Sequence, residues 1–277
     1  MKTNIYYFSG TKNTYKVSET LNSALIALDV ESELFNVEKC PSHTPCDTIV
    51  IAYPVWGFGE PSIVKDFVKR LPNGSGKVYF LKTSGEPLSL NNASSIALAK
   101  IMERKGYLVS GEYHYIMPYN MVFRHDDQLA SKMFKVAKER LLSTADDIKN
   151  GIVTPIHFPV TARFMRAVCS IEHVGMRLNG ALYSVKKDRC INCNKCLNNC
   201  PTKNITIREG KYRFGGNCLG CARCAFNCPT NAIHTGILNF LKVNGPYDFS
   251  LTDENPTMPN YCKKSYEKYF NVENSKH

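Results

Sequence analysis

Long apolar runs and a secretory leader are both missing from this 277-residue sequence. No stretch approaches the roughly 20 apolar residues that cross a bilayer, and residues 1–8 have the pattern of a strand rather than of a signal peptide. We therefore expect a cytoplasmic protein with no transmembrane segment. Hydrophobic residues make up 43% and charged residues 21%, which excludes a collagenous or wholly disordered chain. The length suits two domains of roughly 100 to 200 residues each.

Acidic residues are scarce in the second half of the chain. Residues 151–277 carry 17 Lys and Arg against 8 Asp and Glu, whereas residues 1–150 carry 18 against 16. A basic half raises nucleic acid or a membrane surface as partners, but a domain that holds strongly anionic cofactors also needs positive charge. The cysteines favour the second explanation, so we expect no nucleic-acid partner.

Eight of the twelve cysteines lie between Cys190 and Cys228. In a cytosolic chain such clustering indicates metal ligation rather than disulfides. The cysteines form two copies of the pattern C-x2-C-x2-C-x3-C-P. In paired sites of this type, the first three sulfurs of each copy bind one metal cluster, and the fourth sulfur binds the cluster of the other copy. The pattern predicts two 4Fe-4S clusters, one held by Cys190, Cys193, Cys196 and Cys228, and the other by Cys218, Cys221, Cys224 and Cys200.

A pair of zinc sites is the alternative for these cysteines, because CxxC pairs also build zinc ribbons and knuckles. Zinc sites use two separated CxxC pairs, and the repeated triple spacing does not match them. The segment resembles the bacterial two-cluster ferredoxins over about 50 residues, with all eight ligand positions matched. The resemblance implies a small α+β domain that carries single electrons.

Residues 1–150 alternate between strand and helix patterns. Strands are expected at 4–8, 33–37, 48–53, 77–83 and 112–117, and helices at 17–28, 61–71, 93–104 and 127–149. Five strands that alternate with helices predict an α/β fold with a parallel sheet covered on both faces.

The turn Ser9-Gly10-Thr11-Lys12-Asn13-Thr14 joins the first strand to the first helix. Backbone N–H groups and the helix dipole favour a phosphate at such a place, although a plain helix cap is the alternative. The turn and the predicted five-stranded, doubly wound order resemble the flavodoxins, whose phosphate loop carries hydroxyl residues at the places of Ser9, Thr11 and Thr14. The resemblance implies FMN, with its phosphate on residues 9–14.

Lys12 stands where the flavodoxin pattern usually has a second glycine. A side chain there strains the loop if the position requires a positive φ, and its ammonium could also pair with the phosphate. Two further loops complete the expected flavin site. They contribute Pro54, Val55, Trp56, Gly57 and Phe58 after the third strand and Ser84 and Gly85 after the fourth.

Trp56 is the first candidate to cover the flavin ring, and Phe58 is the second. The aromatic residue often found in the third flavin loop is missing. Four residues in loops at the same sheet end are interpreted as turn formers and assigned no site role: Asn91, Asn92, Tyr119 and Asn120. No general acid or base is identified.

The predicted domains are a flavodoxin-like FMN-binding domain (1–150), a linker with an amphipathic helix (151–185), a ferredoxin domain (186–236) and a C-terminal extension (237–277). The helix is expected to dock the two domains through its apolar face, which holds Phe164, Val168, Ile171, Gly175, Leu178 and Leu182. A membrane-surface helix is the alternative. In the extension we expect a short helix near 261–270 and assign no chemistry.

The whole chain resembles the flavodoxin-ferredoxin fusion proteins of anaerobic bacteria and archaea. The resemblance implies an electron-transfer protein that passes single electrons between two 4Fe-4S clusters and FMN, together with redox partner proteins. Two alternatives stay open. The chain could be an FMN-dependent reductase of a small substrate fed by the clusters, or a ferredoxin with a flavin-free docking domain. A homodimer also stays open.

Overall fold

The computed structural model describes residues 1–40, 44–156, 158, 161, 164, 174–252 and 256–271. Its first part consists of β1 (Lys2–Tyr7), α1 (Asn13–Ala27), β2 (Glu31–Asn36), β3 (Thr48–Pro54), α2 (Ser62–Arg70), β4 (Lys77–Ser84), a 3-10 helix (Ser89–Ser95), α3 (Ile96–Arg104), β5 (Leu108–Ile116) and α4 (Asp127–Lys149). This is the alternation that the sequence predicts.

The five strands form one parallel sheet in the order β2-β1-β3-β4-β5. That order defines the flavodoxin-like doubly wound fold, in which ligands bind beyond the carboxyl ends of the strands at the β1/β3 switch point. The predicted fold class of the first domain is thus confirmed. The sheet fixes where a ligand site belongs before any side chain is considered.

The distribution of hydrophobic residues explains why helices cover both faces of the sheet. Strand β3 is buried along nearly its whole length, as expected of a strand covered by helices on both faces. Helices α1 and α4 cover one face of the sheet, and α2 and α3 cover the other.

Three element boundaries differ from the sequence prediction by three residues or more. Helix α1 begins at Asn13, whereas the sequence predicts its start at Val17. Strand β5 begins at Leu108 rather than near 112, and its register with β4 shifts between Val78 and Tyr79. Gly111 lies within this strand, next to the Tyr79 ring. Helix α3 begins at Ile96 because the 3-10 turn takes the preceding residues.

The second part is small and of mixed α+β type. Residues 174–181 are helical. They are followed by β6 (Ser184–Val185), α5 (Lys195–Asn198), β7 (Ile205–Arg208), β8 (Lys211–Phe214), α6 (Arg223–Phe226), β9 (Ile233–His234), a 3-10 helix (Gly236–Leu241) and α7 (Lys263–Asn271). Strand β6 pairs with β9 and β7 with β8, both antiparallel. Of the described helices, none combines the length and the apolar character that a bilayer-spanning segment needs.

The linker helix packs through a different face from the one expected. The side chains of Phe164, Leu178 and Leu182 are 68%, 69% and 54% exposed, whereas Asn179 and Gly180 are buried. A Cβ at Gly180 would meet Cys218, so only a residue without a side chain fits this contact. Residues 165–173, which include Val168 and Ile171 of the predicted apolar face, lie outside the described residues.

The C-terminal extension packs on the first domain. The Tyr266 ring of α7 is fully buried against Ile116, Leu129 and Met133. Its hydroxyl donates to the carbonyl of Gly85, in one of the predicted flavin loops. The extension therefore supports the candidate site, a role that its polar, irregular sequence did not indicate.

Candidate cofactor-binding site and metal centres

The structure brings the eight clustered cysteines into two groups of four. One small cavity is lined by Cys200, Cys218, Cys221 and Cys224, and the other by Cys190, Cys193, Cys196 and Cys228. These are the same two sets that the spacing predicts, with the fourth sulfur supplied by the other repeat. Within the described residues, no three His, Cys, Asp or Glu side chains converge closely enough for a single metal ion. Three sulfurs of one repeat grouped with the fourth sulfur of the other repeat is the arrangement of paired 4Fe-4S clusters.

Left-handed backbone conformations shape both cysteine loops. Asn192 and Asn194 take φ of 55° and 56° in the first loop, and Gly220 and Ala222 take φ of 72° and 55° in the second. Such residues reverse the chain tightly between ligands, and the one-turn helices α5 and α6 follow at once. The chain bends in the same way at equivalent points of the two repeats.

Hydrogen bonds reach the fourth sulfur of each set. The Sγ of Cys200 accepts from the Asn204 N–H at 3.2 Å, and the Sγ of Cys228 accepts from the Ala232 N–H at 3.2 Å. Burial opposes ionisation of Cys228, but these backbone donors lower its pKa overall. Burial raises the pKa of Cys221 to about 12. A thiolate at Cys221 therefore needs the positive charge of bound metal.

A larger cavity of about 330 Å³ opens at the carboxyl ends of the parallel strands, within the size range of small-molecule sites. Twelve of the thirteen residues predicted for FMN line it: Ser9, Gly10, Thr11, Asn13, Thr14, Pro54, Val55, Trp56, Gly57, Phe58, Ser84 and Gly85. The exception is Lys12, whose side chain is exposed and is not part of the lining. Lys12 has a φ of 75°, so the position is one that favours glycine.

The turn after β1 fits a phosphate. The Ser9 hydroxyl is buried, and within the described residues it has no hydrogen-bond partner. A buried hydroxyl without a partner is costly, and an anionic oxygen in the cavity would satisfy it. Two bonds fix the turn: the Asn13 side-chain amide donates to the Pro118 carbonyl at 2.7 Å, and the hydroxyls of Thr14 and Thr83 lie 2.8 Å apart.

The second loop presents an indole on a rigid turn. Trp56 and Gly59 exchange backbone hydrogen bonds of 3.0 and 2.8 Å. Gly57 and Phe58 between them have φ of 49° and 56°, as a type I′ turn requires. The Trp56 ring meets Phe8 edge to face at 5.6 Å. An aromatic held in this way can cover a flat ligand without losing much conformational entropy.

Tyr119 places an aromatic ring beside the third loop, which has none of its own. Its ring lies against Gly85, where no Cβ would fit, and stacks on His125 with the ring centroids 5.1 Å apart. The Tyr119 hydroxyl donates to the carboxyl of Glu86, and burial raises the pKa of Glu86. Tyr119, Glu86, Asn91 and Asn120 all line the cavity but were not assigned to it from the sequence. Their position at the carboxyl end of the sheet was the available signal.

Residues from beyond the first domain close the cavity. They are Met176, Leu219, Gly220, Leu238, Leu241 and Tyr261. Leu219 and Gly220 lie in the loop between two cysteines of one cluster set, so that set and the cavity share a wall. Sequence patterns within either domain carry no signal for these contacts.

An arginine joins the cysteine loop to the turn after β1. The guanidinium of Arg223 donates to the carbonyls of Ser9 at 2.7 Å and Gly10 at 3.2 Å, and it forms a two-pronged ion pair with Glu38 at 2.5 and 2.8 Å. It also donates to the Asn199 carbonyl at 2.9 Å. Paired guanidinium and carboxylate groups of this kind are geometrically specific, so the two domains are held in a fixed register here.

Comparisons with known proteins agree with the cysteine sites. Residues 189–232 match the family model described as a 4Fe-4S dicluster domain. No curated protein matches the sequence significantly. The predicted combination of a flavodoxin-like and a ferredoxin-type domain is confirmed by the strand order of the first domain and by this family match.

Solved structures similar to part of this chain include two flavodoxins and a quinone oxidoreductase. Flavodoxin from Streptococcus pneumonia TIGR4 is 15% identical, covering 55% of this chain and 100% of its own, with a TM-score of 0.42. Oxidised flavodoxin 1 from Bacillus cereus is 15% identical, covering 54% and 98%, with a TM-score of 0.41. The NAD(P)H:quinone oxidoreductase from Methanothermobacter marburgensis is 13% identical, covering 57% and 99%, with a TM-score of 0.37.

Proposed function

We propose that this chain, which fuses a flavodoxin-like domain to a ferredoxin-type domain, is an electron-transfer protein holding two 4Fe-4S clusters and one FMN. Cys190, Cys193, Cys196 and Cys228 would bind one cluster, and Cys200, Cys218, Cys221 and Cys224 the other. The flavin would occupy the 330 Å³ cavity. When bound, the clusters supply one-electron transfer and the flavin can store one or two electrons.

The shared wall between the cysteine loop and the cavity carries this proposal. Gly10 of the phosphate turn lies directly against the backbone and Cβ of Cys221, and Leu219 and Gly220 line the flavin cavity. No solvent layer separates the two sites along this contact. Two independent redox modules would not need so close an approach, whereas transfer within one chain depends on it.

The protein's own groups prepare the cavity. The unpartnered hydroxyl of Ser9 and the backbone at the start of α1 would bind the phosphate. Trp56 and Tyr119 would orient the ring, and the apolar Met176, Leu238 and Leu241 would exclude water from it. Burial and hydrogen bonding are the means by which such a pocket sets a flavin's potential.

Glu86 favours a second candidate function, the reduction of a small substrate at the flavin. Its carboxyl lines the cavity beside Tyr119, and burial raises its pKa, so it holds a proton more readily than an exposed glutamate. A proton donor of this kind is what a reductase requires and a one-electron carrier does not. The cavity volume lies near the lower end of the range for ligand sites, however, which favours occupancy by the flavin alone.

Cofactor analysis after anaerobic purification tests the proposal. We expect about eight irons, about eight sulfides and one FMN per chain, with two cluster signals in EPR after dithionite reduction. Substrate-dependent reoxidation of the reduced protein would favour the reductase, and iron without flavin would favour the flavin-free docking domain. Two zinc ions and a colourless protein would contradict all three.

A further inference from the structure

The positive charge of the ferredoxin-type domain exceeds any internal use. Residues 174–245, which include this domain, the end of the linker helix before it and the start of the extension after it, contain 11 Lys and Arg against only two acidic residues, Asp188 and Glu209. Two clusters with four thiolates each would offset part of this surplus, because such clusters are anionic. Yet only Lys195 and Arg223 of the eleven line the cysteine cavities, and Arg223 is already paired with Glu38.

Most of the remaining charge faces solvent. Nine of the eleven basic residues are exposed: Arg177, Lys186, Lys187, Arg189, Lys195, Lys203, Arg208, Lys211 and Arg213. Arg189 lies 3.9 Å from Asp188, and both side chains of this pair are more than half exposed. A contact of that kind neutralises little charge. The domain therefore presents a positive field to its surroundings.

Part of this charge lies beside the outer cysteine set, the name used here for Cys190, Cys193, Cys196 and Cys228. The inner set is Cys200, Cys218, Cys221 and Cys224. We define the basic rim as Lys186, Lys187, Arg189 and Lys195. The Cys190 N–H donates to the Lys186 carbonyl at 3.0 Å, and Lys195 lines the cavity of the same set. Lys242 nearby has a lowered pKa because of burial first and of the positive charge of Lys186 next, as expected where cations crowd together.

The outer set is also the accessible one. Cys193 is exposed, whereas Cys221 of the inner set is buried. Ile191, between two ligands of the outer set, is 61% exposed. An apolar centre within a charged border is the anatomy of a protein interface. Ile191 by itself offers too little apolar area to hold this face of the domain on a bilayer.

We infer that the basic rim and Ile191 form the docking surface for an acidic one-electron carrier protein. This inference rests on the proposed electron-transfer function and adds the site and the charge of the partner. The partner loses one electron as this domain gains one, with no bond formed and no proton moved. Opposite charges would raise the association rate at low salt.

The test uses the holoprotein and a reduced, acidic bacterial two-cluster ferredoxin in anaerobic stopped-flow experiments. We expect the second-order rate to fall at least about 10-fold when the ionic strength rises from about 20 to about 300 mM. At low salt, the Lys187→Glu/Arg189→Glu variant should react about 10-fold more slowly than the wild type. The matched control Lys135→Glu/Lys149→Glu changes the net charge equally on exposed positions of α4 and should lose less than about twofold.

A salt-independent rate, or equal slowing in both variants, would overturn the docking inference. Sedimentation with phosphatidylglycerol vesicles gives a further test. If the rim variant loses this sedimentation but still reacts with ferredoxin at the wild-type rate, the rim binds a lipid surface and the docking inference is wrong. Excess dithionite needs no docking surface, so it distinguishes failure of the docking inference from failure of the proposed electron-transfer function. If it bleaches the clusters normally, failure concerns the partner alone, and if it bleaches nothing, the proposed function fails as well.

Discussion

The α-carbon of Gly10 lies so close to the carbonyl oxygen of Cys221 that a Cβ added at Gly10 would come within 2.5 Å of that oxygen. Gly10 belongs to the turn that would bind the flavin phosphate, and Cys221 belongs to the inner cysteine set. Backbone packs on backbone at this point, so neither side can give way by changing a rotamer. The distance between the two candidate redox sites therefore depends on a residue without a side chain.

Gly10→Ala should push the phosphate turn and the cysteine loop apart. We expect a loss of about 1–3 kcal/mol in the free energy of unfolding, as for other overpacked sites, and a lower FMN content in the purified protein. Denaturant unfolding and flavin release on denaturation measure the two effects. Gly216→Ala is the control, since an added Cβ there meets nothing within 4 Å. Equal behaviour of the two variants would show that the contact is unimportant.

Cys200→Ala should damage the inner cluster and spare the outer one. The reason is the crossed grouping, in which Cys200 shares a cavity with Cys218, Cys221 and Cys224 although it belongs to the first repeat. EPR of the dithionite-reduced protein, with iron and sulfide counts, checks this. Cys228→Ala is the reciprocal variant and should spare the inner cluster. Selective loss of the outer cluster in Cys200→Ala would contradict the pairing.

Arg223→Gln should weaken the contact between the two domains. The substitution leaves the Glu38 carboxylate and the Ser9 and Gly10 carbonyls without their donor in a largely buried setting. Breaking such a pair costs about 3 kcal/mol, and we expect reduced flavin retention in addition. Lys69→Gln is the control, because its partner Asp66 and Lys69 itself are both more than half exposed. There we expect the free energy of unfolding to change by less than about 0.5 kcal/mol. A similarly small change in Arg223→Gln would contradict the proposed role of Arg223 in holding the two domains together.

Local pattern was sufficient for much of this architecture. Helix α4 has the bounds that the sequence predicts, and the Asp126 carboxylate caps it by accepting from the Gln128 N–H. The cysteine repeat identified the metal-site family because ligand spacing is itself the geometric constraint. Lys12 stands where the flavodoxin pattern usually has glycine, which predicted backbone strain if φ is positive there. The φ of 75° at Lys12 agrees with that prediction.

What sequence could not give was contact between distant segments. Tyr119 lies against Gly85 through packing that no local spacing encodes, and Tyr261 and Leu241 close the cavity from the extension. In the linker helix, the sequence pattern predicted a packed face that the structure leaves exposed. Its most regular apolar stripe is exposed at Leu178 and Leu182, while Gly180 makes the contact with Cys218. Periodicity predicts an amphipathic helix but not which face its neighbours will cover.

Acidification should destabilise the fold through two histidines behind the third flavin loop. Burial lowers the pKa of His114 to about 3 and that of His125 to about 4, from an ordinary value of 6.5. The unfolded chain therefore takes up protons below pH 6.5 that the folded chain does not. Stability is full above pH 6.5 and falls as the pH drops towards 4, by at most about 1.4 kcal/mol per pH unit for each histidine.

His114→Gln tests this pH dependence, because glutamine can keep the contact with Ser84 that the His114 ring makes at 2.8 Å but cannot titrate. Urea unfolding of the variant and the wild type at pH 7.0, 6.0 and 5.0 gives the slopes. We expect the difference in stability between them to shift in favour of the variant by about 1 kcal/mol or more between pH 6 and 5. Since acid also attacks the clusters in both proteins, the difference is the informative quantity. Parallel pH profiles would mean that His114 titrates normally in the folded chain.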